Sequence, residues 1–230
     1  MAGAEAFHAG TLMIGNMANL DISQEKLEEG YREKAPAIAK VQLIAGDKVM
    51  KAVAVAMGTL AELIVRLMGK RIVLVALKAE IGQLEQLIIG FSKTRDHMLE
   101  LMTQHNIEGN TDQQRFTTIQ ANFEFEQKRI KDSFSKRNTM FFDLANRQFA
   151  FAEECMTASQ RLGLMGADVL EAVRQELELP FDSKAYAELV RELQEKSREN
   201  MAALIRDIKQ TIANNLAAQQ VDEDSAPKGK

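Results

Sequence analysis

The stretch that decides the fold is residues 116–162, FTTIQANFEFEQKRIKDSFSKRNTMFFDLANRQFAFAEECMTASQRL. One row of residues runs through it: Phe116, Gln120, Phe123, Gln127, Ile130, Phe134, Arg137, Phe141, Leu144, Gln148, Phe151, Cys155, Ala158 and Leu162. The steps alternate four and three, an average of 3.5. That period belongs to a helix packing along a left-handed supercoiled seam, not to a strand. Four of these positions are polar (Gln120, Gln127, Arg137 and Gln148), and polar seam residues set register and partner number at a cost in stability. Eight of the eleven phenylalanines fall between positions 116 and 151. Phenylalanine is bulky for a tight two-stranded coil, so the seam points to a wider bundle.

Working toward the N-terminus, Asn106-Ile107-Glu108-Gly109-Asn110 reads as a turn, with Gly109 suited to the left-handed position after a helix. Thr111 stands three residues before Gln114, the spacing of a capping box. Two long antiparallel helices meeting at this turn are the expectation. The helix before it carries Leu84, Leu87, Ile88, Phe91, Met98 and Met102 on one side. Further upstream, residues 49–91 are apolar on more than one face and punctuated by Gly58, Gly69, Gly82 and Gly90. Glycine in a helix interior costs about 1 kcal/mol relative to alanine, so a break is expected at Gly69-Lys70-Arg71. Residues 72–77, Ile-Val-Leu-Val-Ala-Leu, fit a buried central helix or a short strand equally well by periodicity.

The flanks are simpler. Residues 1–35 are an N-terminal arm, in which 1–20 read as a loose stretch or a short, weak helix, followed by a short acidic helix capped at Asp21 and ending before Pro36. Gly163 and Gly166 are expected to end the seam helix, with a short helix over 167–179. In the last helix Asp182 is the expected cap, with Phe181 and Tyr186 at the staple positions. Its apolar face reads Leu189, Leu193, Met201, Leu204, Ile208, Ile212 and Leu216. The bundle spans 36–220, and 221–230 reads as a disordered tail. The fold class is therefore all-α, an elongated bundle of four to five helices with a long antiparallel coiled-coil-like hairpin.

Composition agrees and narrows the function classes. The 230 residues include three prolines and no tryptophan, and strong helix formers dominate. The net charge of −4 gives no global footprint for nucleic acid, and none is expected as a partner. Residues 36–106 nevertheless hold nine Lys and Arg against six Asp and Glu. Cys155 is the lone cysteine, which excludes an intrachain disulfide and a cysteine-based zinc site. Three residues before His97 stands Thr94, and before His105 stands Met102, so the Glu-x-x-His spacing of di-iron bundles is absent. No phosphate loop, dinucleotide fingerprint or nucleophile elbow occurs. The expectation is a non-enzymatic chain with no cofactor and no metal.

Three features remain. The seam residues Phe123, Gln127, Ile130, Phe134, Arg137, Phe141, Leu144, Gln148 and Phe151 point to a helical interaction or scaffold protein that self-associates, or binds a helical partner. The basic cluster Lys128, Arg129, Lys131, Lys136 and Arg137 reads as a solvated face. Segment 49–91 offers the alternative reading, a membrane-active helical protein, pore-forming or membrane-shaping. Val55, Leu60, Leu63, Ile64, Ile72, Val73, Leu74, Val75 and Leu77 would then meet lipid. No signal sequence is evident and no run of about 18 uncharged apolar residues occurs, so a soluble cytoplasmic protein with conditional membrane contact is expected.

Overall fold

Every regular element among the described residues is an α-helix, as the composition leads one to expect. The structure, a computed structural model, describes residues 2–225, with the side chains of 2–4, 39, 41–43 and 212–225 left aside. It contains six helices among these residues: α1 (Ala2–Asn16), α2 (Gln24–Lys34), α3 (Pro36–Ile44), α4 (Asp47–Ile107), α5 (Gln113–Glu176) and α6 (Ser183–Ser225). The all-α class and the packing of two long helices, α4 and α5, are as read from the sequence. The chain divides into two compact units. One comprises residues 1–67 and 152–230, and the other is Met68–Phe151.

The second unit is a helical hairpin. Its turn is the one read from the sequence. Gly109 has φ 58°, the left-handed conformation that costs glycine nothing. Asn110 N–H donates to the His105 carbonyl at 3.2 Å and Gly109 N–H to that of Asn106 at 3.2 Å, which satisfies the last carbonyls of α4. The cap of α5 lies one residue beyond the expected Thr111. Asp112 Oδ1 accepts from Arg115 N–H at 2.9 Å, and a carboxylate suits the positive end of the helix better than a hydroxyl. Below the turn the antiparallel pairing is held by His105 against Phe116, Arg129 against Phe91 and Arg137 against Glu85.

The break expected at Gly69-Lys70-Arg71 does not occur. α4 is continuous, and residues 72–77 are helix rather than strand. Tertiary burial overrides the glycine cost. Leu60, Leu63, Leu67, Leu74, Ile81 and Ile88 are buried along one side of α4. Each contributes about 1.5–3 kcal/mol when fully buried, more than one glycine removes.

α5 likewise passes through Gly163 and Gly166 instead of ending there. At Gly163 the reason is close approach. A Cβ there would sit 3.1 Å from Gln194 Nε2 of α6. One turn away, Gln160 and Gln194 each donate to the other's backbone carbonyl, at 3.1 and 2.9 Å. The helix ends instead at Glu176, followed by Glu178 in the left-handed region at φ 53°. The start of α6 follows the sequence reading. Asp182 accepts from Ala185 N–H at 2.9 Å, and the Phe181 and Tyr186 rings meet at 5.6 Å.

Of the two readings of residues 1–20, the described part follows the short helix, α1. α1 buries Ala6, Met13 and Ile14, and Met17 just beyond its end is buried too. Gly10 lets it approach α4, since a Cβ there would lie 2.5 Å from a Leu60 methyl. Ser23, not Asp21, caps α2, accepting from Lys26 N–H at 3.3 Å. Of the expected disordered tail, 221–225 belongs to α6 and 226–230 lies outside the described residues.

Candidate interaction surfaces

The seam of α5 is occupied within the chain, but in a shifted phase over its first half. Ile130, Leu144 and Phe151 are buried, and Phe123, Arg137 and Gln148 are half-buried. Gln127, Phe134 and Phe141 face outward, Phe134 41% and Phe141 49% exposed. Their expected inner places, and that of the exposed Gln120, are taken by the residues one position earlier: Ile119 and Glu126 are buried, Ser133 and Met140 half-buried. After Leu144 the inner row steps by four to Gln148. From there Phe151, Cys155, Ala158 and Leu162 are buried, in the phase expected from the sequence.

Charged contacts account for the shift. Glu126 Oε1 pairs with Arg129 at 2.9 Å, and the Arg129 guanidinium lies 3.7 Å from the centre of the Phe91 ring. That stack turns the 126 side of α5 toward α4 and rotates Gln127 and Phe134 away. Arg137 reaches Glu85 at 3.5 Å and Asn138 at 2.7 Å. The basic cluster is thereby split. Its two arginines serve the hairpin, whereas Lys128, Lys131 and Lys136 are solvent-facing. Glu126 Oε2 is buried without a hydrogen-bond partner, so Arg129 is the group that makes this buried carboxylate tolerable.

On α4 the candidate lipid-facing residues divide between two sides. Leu60, Leu63 and Leu74 are buried, and Ile64 and Leu77 are half-buried. Val55, Ile72, Val73 and Val75 are exposed, and so are Val65 (74%), Leu87 and Ile89. An 18-residue window of α4 reaches mean hydropathy 1.7 with at most two charges, and only 22% of that window is buried. Residues 52–69 contain two charged groups, Glu62 and Arg66, both outward-facing. Just outside lie Lys48 and Lys51 on one side and Lys70 and Arg71 on the other, with Arg71 buried. Sequence reasoning did not anticipate so open an apolar helix. A helix apolar all round is normally enclosed.

α6 adds a smaller surface. Ile205 is buried and Met201 half-buried, while Leu189, Leu193, Leu204 and Ile208 stay exposed, so its expected single face is divided. Between α1 and α2 a cavity of about 280 Å³ is lined by Leu12, Met13, Leu27, Lys26 and Tyr31. Burial pushes the Tyr31 phenol above its ordinary value of 10.0. Among the described residues no group of three or more His, Cys, Asp and Glu could hold a metal ion. Cys155 is buried inside the first unit.

The chain matches no protein-family model, no curated protein and no solved structure.

Proposed function

We propose that this chain is a membrane-active helical protein that engages lipid through the exposed apolar side of α4. The observation that carries the reading is the 22% burial of a window with mean hydropathy 1.7. The core helix of a water-soluble protein with that hydropathy is mostly enclosed. An open apolar surface of this kind marks a contact with lipid or protein. Three features favour lipid. Residues 52–69 extend about 27 Å at 1.5 Å per residue, close to the roughly 30 Å hydrocarbon core. Basic residues stand at both ends, Lys48 and Lys51 before and Lys70 after, where long side chains reach headgroups. Glu62 and Arg66 are one helical turn apart, a spacing that permits pairing when both leave water.

The test is flotation with neutral and anionic liposomes, comparing wild type with Val65→Asp. Val65 is exposed, so the substitution leaves the core intact. Wild type is expected to float with both lipids, and the variant with neither while keeping its circular dichroism spectrum. Flotation with anionic lipid alone would shift the contact to Lys128, Lys131 and Lys136 as a peripheral surface. No flotation of wild type would overturn the reading.

A second reading, self-association, is supported by the outward Phe134 and Phe141 beside the occupied seam. A helical partner or second copy would cover them. Sedimentation equilibrium of wild type against Phe134→Ser/Phe141→Ser tests it. An oligomer that dissociates in the variant supports this reading, and a monomer throughout removes it.

A further inference from the structure

We infer that Glu176 is an internal latch that keeps α3 and α4 from fusing into one helix. Only Ala45 and Gly46 separate Ile44, the end of α3, from Asp47, the start of α4. Neither residue forbids a helix: there is no proline here, and Gly46 is not among the residues of positive φ. In an unbroken helix the Gly46 N–H would donate to the carbonyl of residue 42, four positions earlier. Instead it donates to both carboxylate oxygens of Glu176, at 2.9 and 3.1 Å, across 130 residues of sequence. The Gly46 carbonyl meanwhile accepts from Met50 N–H at 2.9 Å, so Gly46 is the N-cap of α4.

The usual acceptor for an N-cap N–H is a Glu or Gln at the third helical position. In α4 that position is Val49, which is buried and has no acceptor to offer. Glu176, the last residue of α5, supplies it from outside the helix. The carboxylate also sits at the positive end of the α4 dipole. Glycine is what leaves room for it, because a Cβ at position 46 would lie 2.7 Å from Glu176 Oε2. The Gly46 N–H thus has two competing acceptors, and the one it takes decides whether the chain bends or runs straight. Release would join Pro36–Ile44, an apolar helix, directly onto α4. The consequence of that for lipid rests on the membrane reading above, but the latch itself does not.

The experiment is double electron–electron resonance in lipid-free solution on the full chain, with spin labels on Lys40→Cys and Glu62→Cys in a Cys155→Ala background. Lys40 and Glu62 are both exposed. A straight helix over this span of 22 residues measures about 33 Å, and any bend shortens it. The latched protein is expected to give a shorter distance. Glu176→Ala is expected to raise the population near 33 Å at least about fivefold, the scale of losing one helix cap. Gly46→Ala should do the same, since it displaces only the end of the Glu176 side chain. It carries the test if Glu176→Ala fails to give a cooperative thermal melt. Distances unchanged in both variants, or already near 33 Å in the parent, would overturn the latch. Flotation of the same variants is a separate readout, so a failed lipid contact and a failed latch give different results.

Discussion

α4 and α5 are nearly equal in length, 61 and 64 residues, and both run without a break through glycines. They handle their apolar residues differently. α5 buries one row and sets mostly charged and amide side chains around it, with Phe125, Phe134 and Phe141 as outward exceptions. α4 buries a comparable row, from Leu60 to Ile88, and then carries Val55, Val65, Ile72, Val73 and Val75 on its other sides. The lesson is that apolar content and burial are separate properties. A buried row explains why α4 folds against its neighbours. It does not explain why residues 52–69 hold only two charged groups, and that unexplained apolarity is what points to lipid.

The comparison can be pressed hardest at two neighbouring positions of α4. Leu67 is fully buried and Val65 is 74% exposed. Leu67→Ala is expected to destabilise by about 2–5 kcal/mol in urea unfolding, through lost burial and the cavity left behind. Val65→Ala should stay within about 0.5 kcal/mol, as surface substitutions do. Similar losses at both positions would mean that Val65 is enclosed in solution and that the apolar side of α4 is already covered.

On α5 the sharper question is the phase of the seam. Arg129→Ala removes the stack on Phe91 and leaves the buried Glu126 carboxylate unpaired. A loss of about 1–3 kcal/mol is expected. Arg129→Lys should recover little of it, because an ammonium lacks the planar face that stacks. Full stability in Arg129→Ala would place Phe134 rather than Glu126 on the inner side.

A smaller gain is expected at the end of α5. Glu178 holds a left-handed backbone at φ 53°, which costs a non-glycine residue roughly 1 kcal/mol. Glu178→Gly should raise the melting temperature correspondingly. A lower melting temperature would show that the Glu178 side chain contributes more than its backbone costs.

The smallest effect concerns pH. Burial raises the Tyr31 phenol above 10.0, so the folded state favours the neutral form. Its contribution to stability is fully present below the ordinary phenol value and is lost as pH rises through the folded one. Tyr31→Phe should flatten the alkaline limb of a denaturation-versus-pH curve. An identical limb in the variant would assign the alkaline loss to other groups.

Local signals in the sequence were legible. The turn at Gly109, the Asp182 cap and the Phe181–Tyr186 staple each depend on residues within a few positions of one another, and each stands as read. The all-α class followed from the scarcity of proline and the long helical periodicity. Glycine as a helix breaker failed at Gly69 and Gly163, because packing by residues far away in sequence decided the outcome. The seam was legible in period but not in phase. Phe134 and Phe141 are more apolar than Ser133 and Met140, and only the cross-helix contacts of Arg129 and Arg137 choose the other side. The Glu176–Gly46 contact joins positions 130 residues apart and leaves no local trace at all.

Because the chain contains no tryptophan, a single one can report its own surroundings. The most direct test places it at Val65 of α4, and in a second protein at Phe125 of α5, which is also exposed. Fluorescence is then read with liposomes that carry brominated acyl chains. Lipid engagement through α4 is expected to shift the Val65→Trp emission to the blue and quench it, while Phe125→Trp stays unshifted and unquenched. Emission from Val65→Trp that neither shifts nor quenches would contradict the central claim.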